Sequence, residues 1–298
     1  MKQESVGNRI LFAGLNTIDI QFLVARFPEA NTKARAIYGD IFTGGPATNA
    51  AIACAYLGSK VDLLTPIGEH VFSEFIVADI KQFGIRILDP IEGFKGNPTL
   101  SGIITSQKNG DRTLIYYHPA DDHAFISSVN LNIIVYKLVL FDGFFPELSI
   151  PVAEKCRQHG ITTILDGGSW KRKTDELLDY VDVVICSSDF KVPGKKSTDS
   201  VFSYFQERGI TYAAITRGEK SILYTQKNSV GETNIDQVEV VDTLGAGDIF
   251  HGAFCHYFGL EYKFTDSLKK ASQIAGESCK NAWHTTMDEQ NLPSQRPG

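Results

Sequence analysis

The stretch Asp242-Thr243-Leu244-Gly245-Ala246-Gly247-Asp248 lies between an alternating apolar run and a long apolar segment that reads as a helix. Two glycines and an alanine leave the backbone bare where that helix begins, so its unpaired N–H groups are free to face an anion. Asp248 falls in the first turn of the same helix. A carboxylate repels phosphate, so its place in a phosphate cradle asks for a chemical reason. Removing the proton of a hydroxyl that attacks phosphorus supplies one. The loop therefore points to phosphoryl transfer onto a small hydroxylated molecule.

Plainer readings of the same residues compete. Gly-Ala-Gly also suits close helix–strand packing, with Asp248 favoured by the helix dipole. A dinucleotide turn is excluded because Phe250 stands where the third glycine of G-x-G-x-x-G belongs, and no apolar strand with an acidic end follows. Gly194-Lys195-Lys196-Ser197 is a near miss to a Walker loop, lacking the earlier glycine and carrying an extra lysine.

Outward from the loop, the chain alternates strand and helix. Strands are expected over residues 9–15, 61–67, 137–141, 161–165, 182–186, 211–216, 222–225 and 238–241. Helices are expected over 46–58, 71–83, 151–159, 174–180, 200–208, 246–258 and 265–280. Gly44-Gly45-Pro46 opens the first helix, with proline at its favoured first-turn position. Such alternation implies parallel strands with helices on both faces. Residues 20–43 break the rhythm, as does a hairpin whose strands, 99–107 and 112–118, are joined at Asn109-Gly110. Together they read as a small antiparallel sheet projecting from the main layer.

With 298 residues, 43% hydrophobic and 21% charged, the chain has the composition of a globular protein with a full core. The net charge of -6 argues against nucleic acid or an anionic membrane as partner. Five scattered cysteines without a C-x-x-C fit reduced thiols and a cytoplasmic location. No run reaches membrane-spanning length. The seven histidines form no metal-ligand pattern.

On two motifs in order, GGPATNAAIACAYLG (44–58, preceded by GLNTID at 14–19) and DTLGAGDIFHGAF (242–254), the chain resembles the ribokinase-like carbohydrate kinases. It is most similar to the ketohexokinase group through RTLIYY (112–117), DVVICSSD (182–189) and QIAGESC (273–279). The resemblance implies a three-layer α/β/α core with a mostly parallel sheet (residues 1–16, 44–98 and 119–290), a β-sheet lid (17–43 and 99–118) and a loose tail (291–298). It implies ATP and magnesium, with potassium as a candidate monovalent cation, and a sugar as acceptor.

Residue by residue, Asp248 matches the family's catalytic base, and Gly245, Ala246 and Gly247 its anion hole. Asp19, Gly44, Gly45 and Asn49 match the sugar site, and Asp142 a position often held by a sugar-facing glutamate. Thr216, Arg217, Gly218, Thr243, Gly247 and Cys279 are carried to the nucleotide side, and Asp242 to a monovalent-cation loop. Read singly, Asp19 also suits a strand-end turn, Asn49 a helix first turn, and Arg217 a solvated loop. Pro46 and Thr48 point away from ribose, Ser187-Ser188-Asp189-Phe190 replaces an Asn-x-x-Glu, and Lys280-Asn281-Ala282-Trp283 is bulky for an adenine wall. A nucleoside kinase of the same family and a catalytically silent ligand-binding relative are the alternatives. Pairing of two lids in a homodimer is expected from the exposed sheet edges.

Overall fold

The structure, a computed structural model, describes residues 7–91, 95–108, 110–119, 130–227 and 229–280. Among them, nine strands form the main sheet: β1 (Arg9–Ala13), β4 (Lys60–Leu64), β5 (Arg86–Leu88), β8 (Tyr136–Phe141), β9 (Thr162–Gly167), β10 (Val183–Ser187), β11 (Tyr212–Arg217), β12 (Lys220–Gln226) and β13 (Ser229–Thr233). Their order is β13-β12-β11-β10-β9-β8-β1-β4-β5. All neighbours are parallel except β11–β12 and β12–β13, which close one edge as an antiparallel meander.

The inner strands are apolar on both sides because helices cover both faces. Ile10 and Phe12 of β1 join one cluster, packed under α1 (Pro46–Tyr56), α2 (Ser73–Lys81), α6 (Ala246–Gly259) and α7 (Phe264–Ser278). Leu11 and Ala13 join the other, under α3 (Pro146–His159), α4 (Thr174–Leu178) and α5 (Thr198–Glu207). A period-two strand with two buried faces produces this split directly. Midway along β4, Asp62 is fully buried and held by Arg9, Arg86 and the Tyr136 hydroxyl.

The second sheet has the order β3-β2-β6-β7, with β2 (Thr17–Val24), β3 (Tyr38–Gly44), β6 (Leu100–Ser106) and β7 (Arg112–Tyr117). Its outer ladders are antiparallel; the central pair β2–β6 is parallel, since the chain enters the core between them. Thr43 N–H donates to Asp79 of α2 at 2.9 Å, anchoring the lid's base on the core.

Several expectations need correction. Residues 238–241 form no strand; the meander is completed instead by β13, whose alternation is too weak and polar to be read locally. Helix α3 starts at Pro146 and carries Pro151 inside it, so the second proline did not mark its beginning. The three-residue β5 was not expected, being short and partly exposed. Asn109 of the hairpin turn, residues 281–283 and the tail 291–298 lie outside the described residues.

Candidate active site

Strand β1 is flanked by β4 on one side and β8 on the other, and the chain reverses its direction of travel across the sheet there. At such a switch point the carboxyl ends of adjacent strands open a crevice. Gly45 sits at this crevice with φ 102, because a Cβ there would strike the carbonyl of Leu15; it is the N-cap of α1, followed at once by Pro46. Thr48 Oγ1 donates to Leu15 O at 3.0 Å, which fixes α1 on the exit of β1.

Helix α6 brings the second motif to the same place. Gly245 is its N-cap with φ 67, and no side chain caps the helix, leaving first-turn amides for a ligand. Nothing stands within 4 Å of where a Cβ on Gly247 would be, so an anion has room to approach. α6 crosses α1 closely: a Cβ on Gly252 would collide with the Ala50 carbonyl. That crossing sets Asn49 of α1 beside Asp248 of α6, and Asn49 Nδ2 donates to Asp248 Oδ2 at 2.8 Å. Asn49 Oδ1 is buried and has no partner.

Three acids gather along the crevice. Asp248 is pushed up to about 7, first by burial and then by the charge of Asp166, against the opposing Asn49 bond. A carboxylate with that affinity for protons is suited to general-base work near neutrality. Asp19 of β2 is pushed up to about 6 by burial, partly offset by hydroxyl bonds from Thr17 and Ser101. Its carboxylate lies against the α-carbon of Gly44, where a Cβ would clash with it.

Asp142, at the end of β8, is 1% exposed and already committed. Its Oδ2 accepts from Leu15 N–H at 2.8 Å and Ala47 N–H at 3.3 Å, and Oδ1 from Phe144 N–H at 3.0 Å. Expected as a sugar contact, it instead staples the exit of β1 to the start of α1. Burial nevertheless pushes it up to about 6.

On the other side of Gly247, a cavity of about 580 Å³ is lined by Thr216, Gly218, Thr243, Ala246, Gly247 and Cys279, with apolar walls from Ile222, Val238, Val240 and Phe250. Five of the six residues assigned to the nucleotide side meet there. The sixth, Arg217, does not: its guanidinium is held by Ser221 O and Oγ and by Glu232, each at 2.9 Å. The cavity is large enough for a small aromatic ligand, and Gly247 is part of its lining.

Asp242 also departs from expectation. Its Oδ1 accepts from Arg112 of the lid at 3.1 Å and from Leu244 N–H at 2.9 Å. A guanidinium on that oxygen opposes a potassium ion at the same place, so the residues as arranged do not fit a monovalent cation there. Arg112 also donates to Thr243 Oγ1 at 3.2 Å, tying lid to loop.

Sequence reading assigned no role to Arg112, Asp166 or His251. His251 is 5% exposed, its Nδ1 lying 2.7 Å from Gly247 O and its Nε2 3.1 Å from Ile185 O and 3.5 Å from Asp166. It fixes the first turn of α6 on β10. Its local signal is weak, because Asp248 and His256 are also polar residues on the same helix.

The pfkB family carbohydrate kinase profile matches residues 8–289, and the chain belongs to that family. It is 26% identical to a ribokinase of Staphylococcus aureus over 263 residues, covering 83% of this chain and 85% of that one. It is 21% identical to the ketohexokinase of Mus musculus over 285 residues, covering 91% and 96%. The solved ribokinase of Arabidopsis thaliana in complex with ribose and ATP superposes with a TM-score of 0.71 at 18% identity, covering 92% and 93%. The chain is a phosphotransferase of the ribokinase-like sugar and nucleoside kinases.

Proposed function

From that membership, we propose that the chain transfers the terminal phosphoryl group of ATP to a hydroxyl of a ketohexose such as fructose, or of a related sugar or polyol. The observation that carries this reading is the Asn49–Asp248 bond at the mouth of the uncapped α6 helix. Asp248, its proton affinity raised by burial, adjoins Gly247 of the cavity lining, which supports its reading as the base.

ATP supplies the activated phosphoryl group. Asp19, Asn49 and the bare backbone at Gly44 and Gly45 hold the acceptor against the lid's base, because sugar hydroxyls need partners once water is expelled. Asp248 takes the hydroxyl proton as the oxygen bonds to phosphorus and the bond to the leaving diphosphate breaks. The amides of Gly245, Ala246 and Gly247 stabilise charge on the phosphoryl oxygens. Lid closure, marked by the Arg112 contacts with Asp242 and Thr243, excludes water that would otherwise hydrolyse the nucleotide.

Among the described residues no three His, Cys, Asp or Glu side chains are close enough together to hold a metal ion. Magnesium would therefore be held mainly by phosphate oxygens and water, as that ion prefers. No described helix is long and apolar enough to cross a membrane, and the reading takes the enzyme to work in the cytoplasm. The lid's outer face exposes Phe22, Ile41, Ile115 and Tyr117, and we assign that face to a homodimer contact.

A panel of fructose, ribose, inositol, adenosine and cytidine with coupled ATP consumption tests the reading. Transfer to fructose or another sugar or polyol supports it. Transfer to a nucleoside alone replaces the acceptor, and binding without transfer removes the kinase assignment.

A further inference from the structure

Asp19 and Gln21 are two residues apart on β2 and so point to one face of the lid. Residues opposite each other across a ladder share a face. Leu23 pairs with Thr105, and Thr105 with Arg112, so Asp19, Gln21, Thr105 and Arg112 stand on the same side of the sheet. Arg112 reaches Asp242 and Thr243 from there, which identifies this side as the one overlooking the transfer site. On it, Gln21 is 4% exposed, and its Oε1 has no hydrogen-bond partner. Thr105 Oγ1, on the neighbouring strand, is likewise buried and unpartnered. In the core, Asn49 Oδ1 is also buried and without a partner.

A buried carboxamide on a sheet face is costly unless something completes it. The charge of Asp19 two residues earlier has an evident use in holding a hydroxyl. The amide of Gln21 has none inside the protein.

We propose that Gln21 is a specificity-determining residue: its amide oxygen accepts a hydrogen bond from an acceptor hydroxyl remote from the one phosphorylated. The preferred acceptor is then polyhydroxylated, with hydroxyls spaced to meet Asp19 and Gln21, about 7 Å apart along the strand. Thr105 lies diagonally across the ladder from Gln21 on the same face. This rests on the proposed function, whose acceptor it narrows.

The test uses the sugar of the panel with the highest kcat/KM, together with its monodeoxy analogues, on the full chain. In the wild type, one deoxy analogue loses about tenfold or more in kcat/KM, because a site built for a hydroxyl rejects its absence. Gln21→Met lowers kcat/KM of the parent sugar by about tenfold, mostly through KM, and leaves that one analogue within about twofold. Gln21→Glu, which keeps acceptor oxygens, retains the preference. Should Gln21→Met fail to fold, Gln21→Leu, which also lacks an acceptor, carries the same comparison. Discrimination that survives Gln21→Met intact overturns the proposal, as does an equal loss for parent and analogue. A wild type that phosphorylates no sugar or polyol overturns the functional reading; a wild type with full activity and a Gln21-independent preference overturns this assignment alone.

Discussion

Asn49 and Asp248 are 199 residues apart in the chain and meet at 2.8 Å, the amide of one donating to the carboxylate of the other. The bond joins the first turns of two helices, α1 and α6, that approach closely enough only because Gly252 has no side chain. It orients the carboxylate through its Oδ2.

Replacing Asp248 with Asn keeps size and helix propensity but removes the proposed base. Turnover falls by about 100-fold or more, while the acceptor KM changes little. Coupled kinetics with a thermal unfolding curve checks this. Turnover near the wild-type value would remove Asp248 from the chemistry.

The base works deprotonated, so kcat/KM rises with pH and levels off above the pH, about 7, to which Asp248 is pushed. Asn49 opposes that rise by favouring the charged form, so Asn49→Ala moves the acidic limb to higher pH. A pH–rate profile of both proteins decides it; a limb that stays in place contradicts the assignment.

Stability follows pH against the usual trend around the site. Asp19 and Asp142 are raised to about 6 and Asp248 to about 7, from an ordinary 3.8. Between those values the folded chain binds more protons than the unfolded one. The contribution of these acids is therefore complete below 3.8 and lost as pH rises through about 6 to 7. Asp62, lowered by Arg86, Arg9 and Tyr136 despite its burial, acts oppositely: its contribution is lost only on acidification. Asp142→Asn narrows the difference between denaturation midpoints measured at about pH 5 and about pH 8. An unchanged difference would count against a raised Asp142.

Arg112 couples lid and loop. Arg112→Met releases both ends of that contact, so amide exchange speeds up together in β7 and in residues 242–247, while β9 and β10 are unaffected. The same variant wastes more ATP by hydrolysis without acceptor, because closure is impaired. Exchange that increases in β7 alone would separate lid from loop.

The local reading found α1, α6 and the inner parallel strands because their signals are local too: apolar runs of fixed length and Pro or Gly at helix ends. It missed β5 and β13, edge strands whose few apolar residues carry no period, and it mistook residues 238–241 for a strand where Val238 and Val240 line the cavity. Thr216, Gly218, Thr243, Gly247 and Cys279, drawn from three distant segments, do come to one cavity.

The chain by itself determined the phosphate loop, the pairing of two motifs and hence the family, since each depends on residues adjacent in sequence. The tertiary structure alone decided which charged groups stay available. Asp142, Arg217 and Asp242 look as free in the sequence as Asp19 and Asp248, yet backbone amides, Glu232 and Arg112 respectively claim them. Only strand order and lid position bring those partners within hydrogen-bond reach, whereas Asp19 and Asp248 meet only neutral hydroxyl and amide side chains.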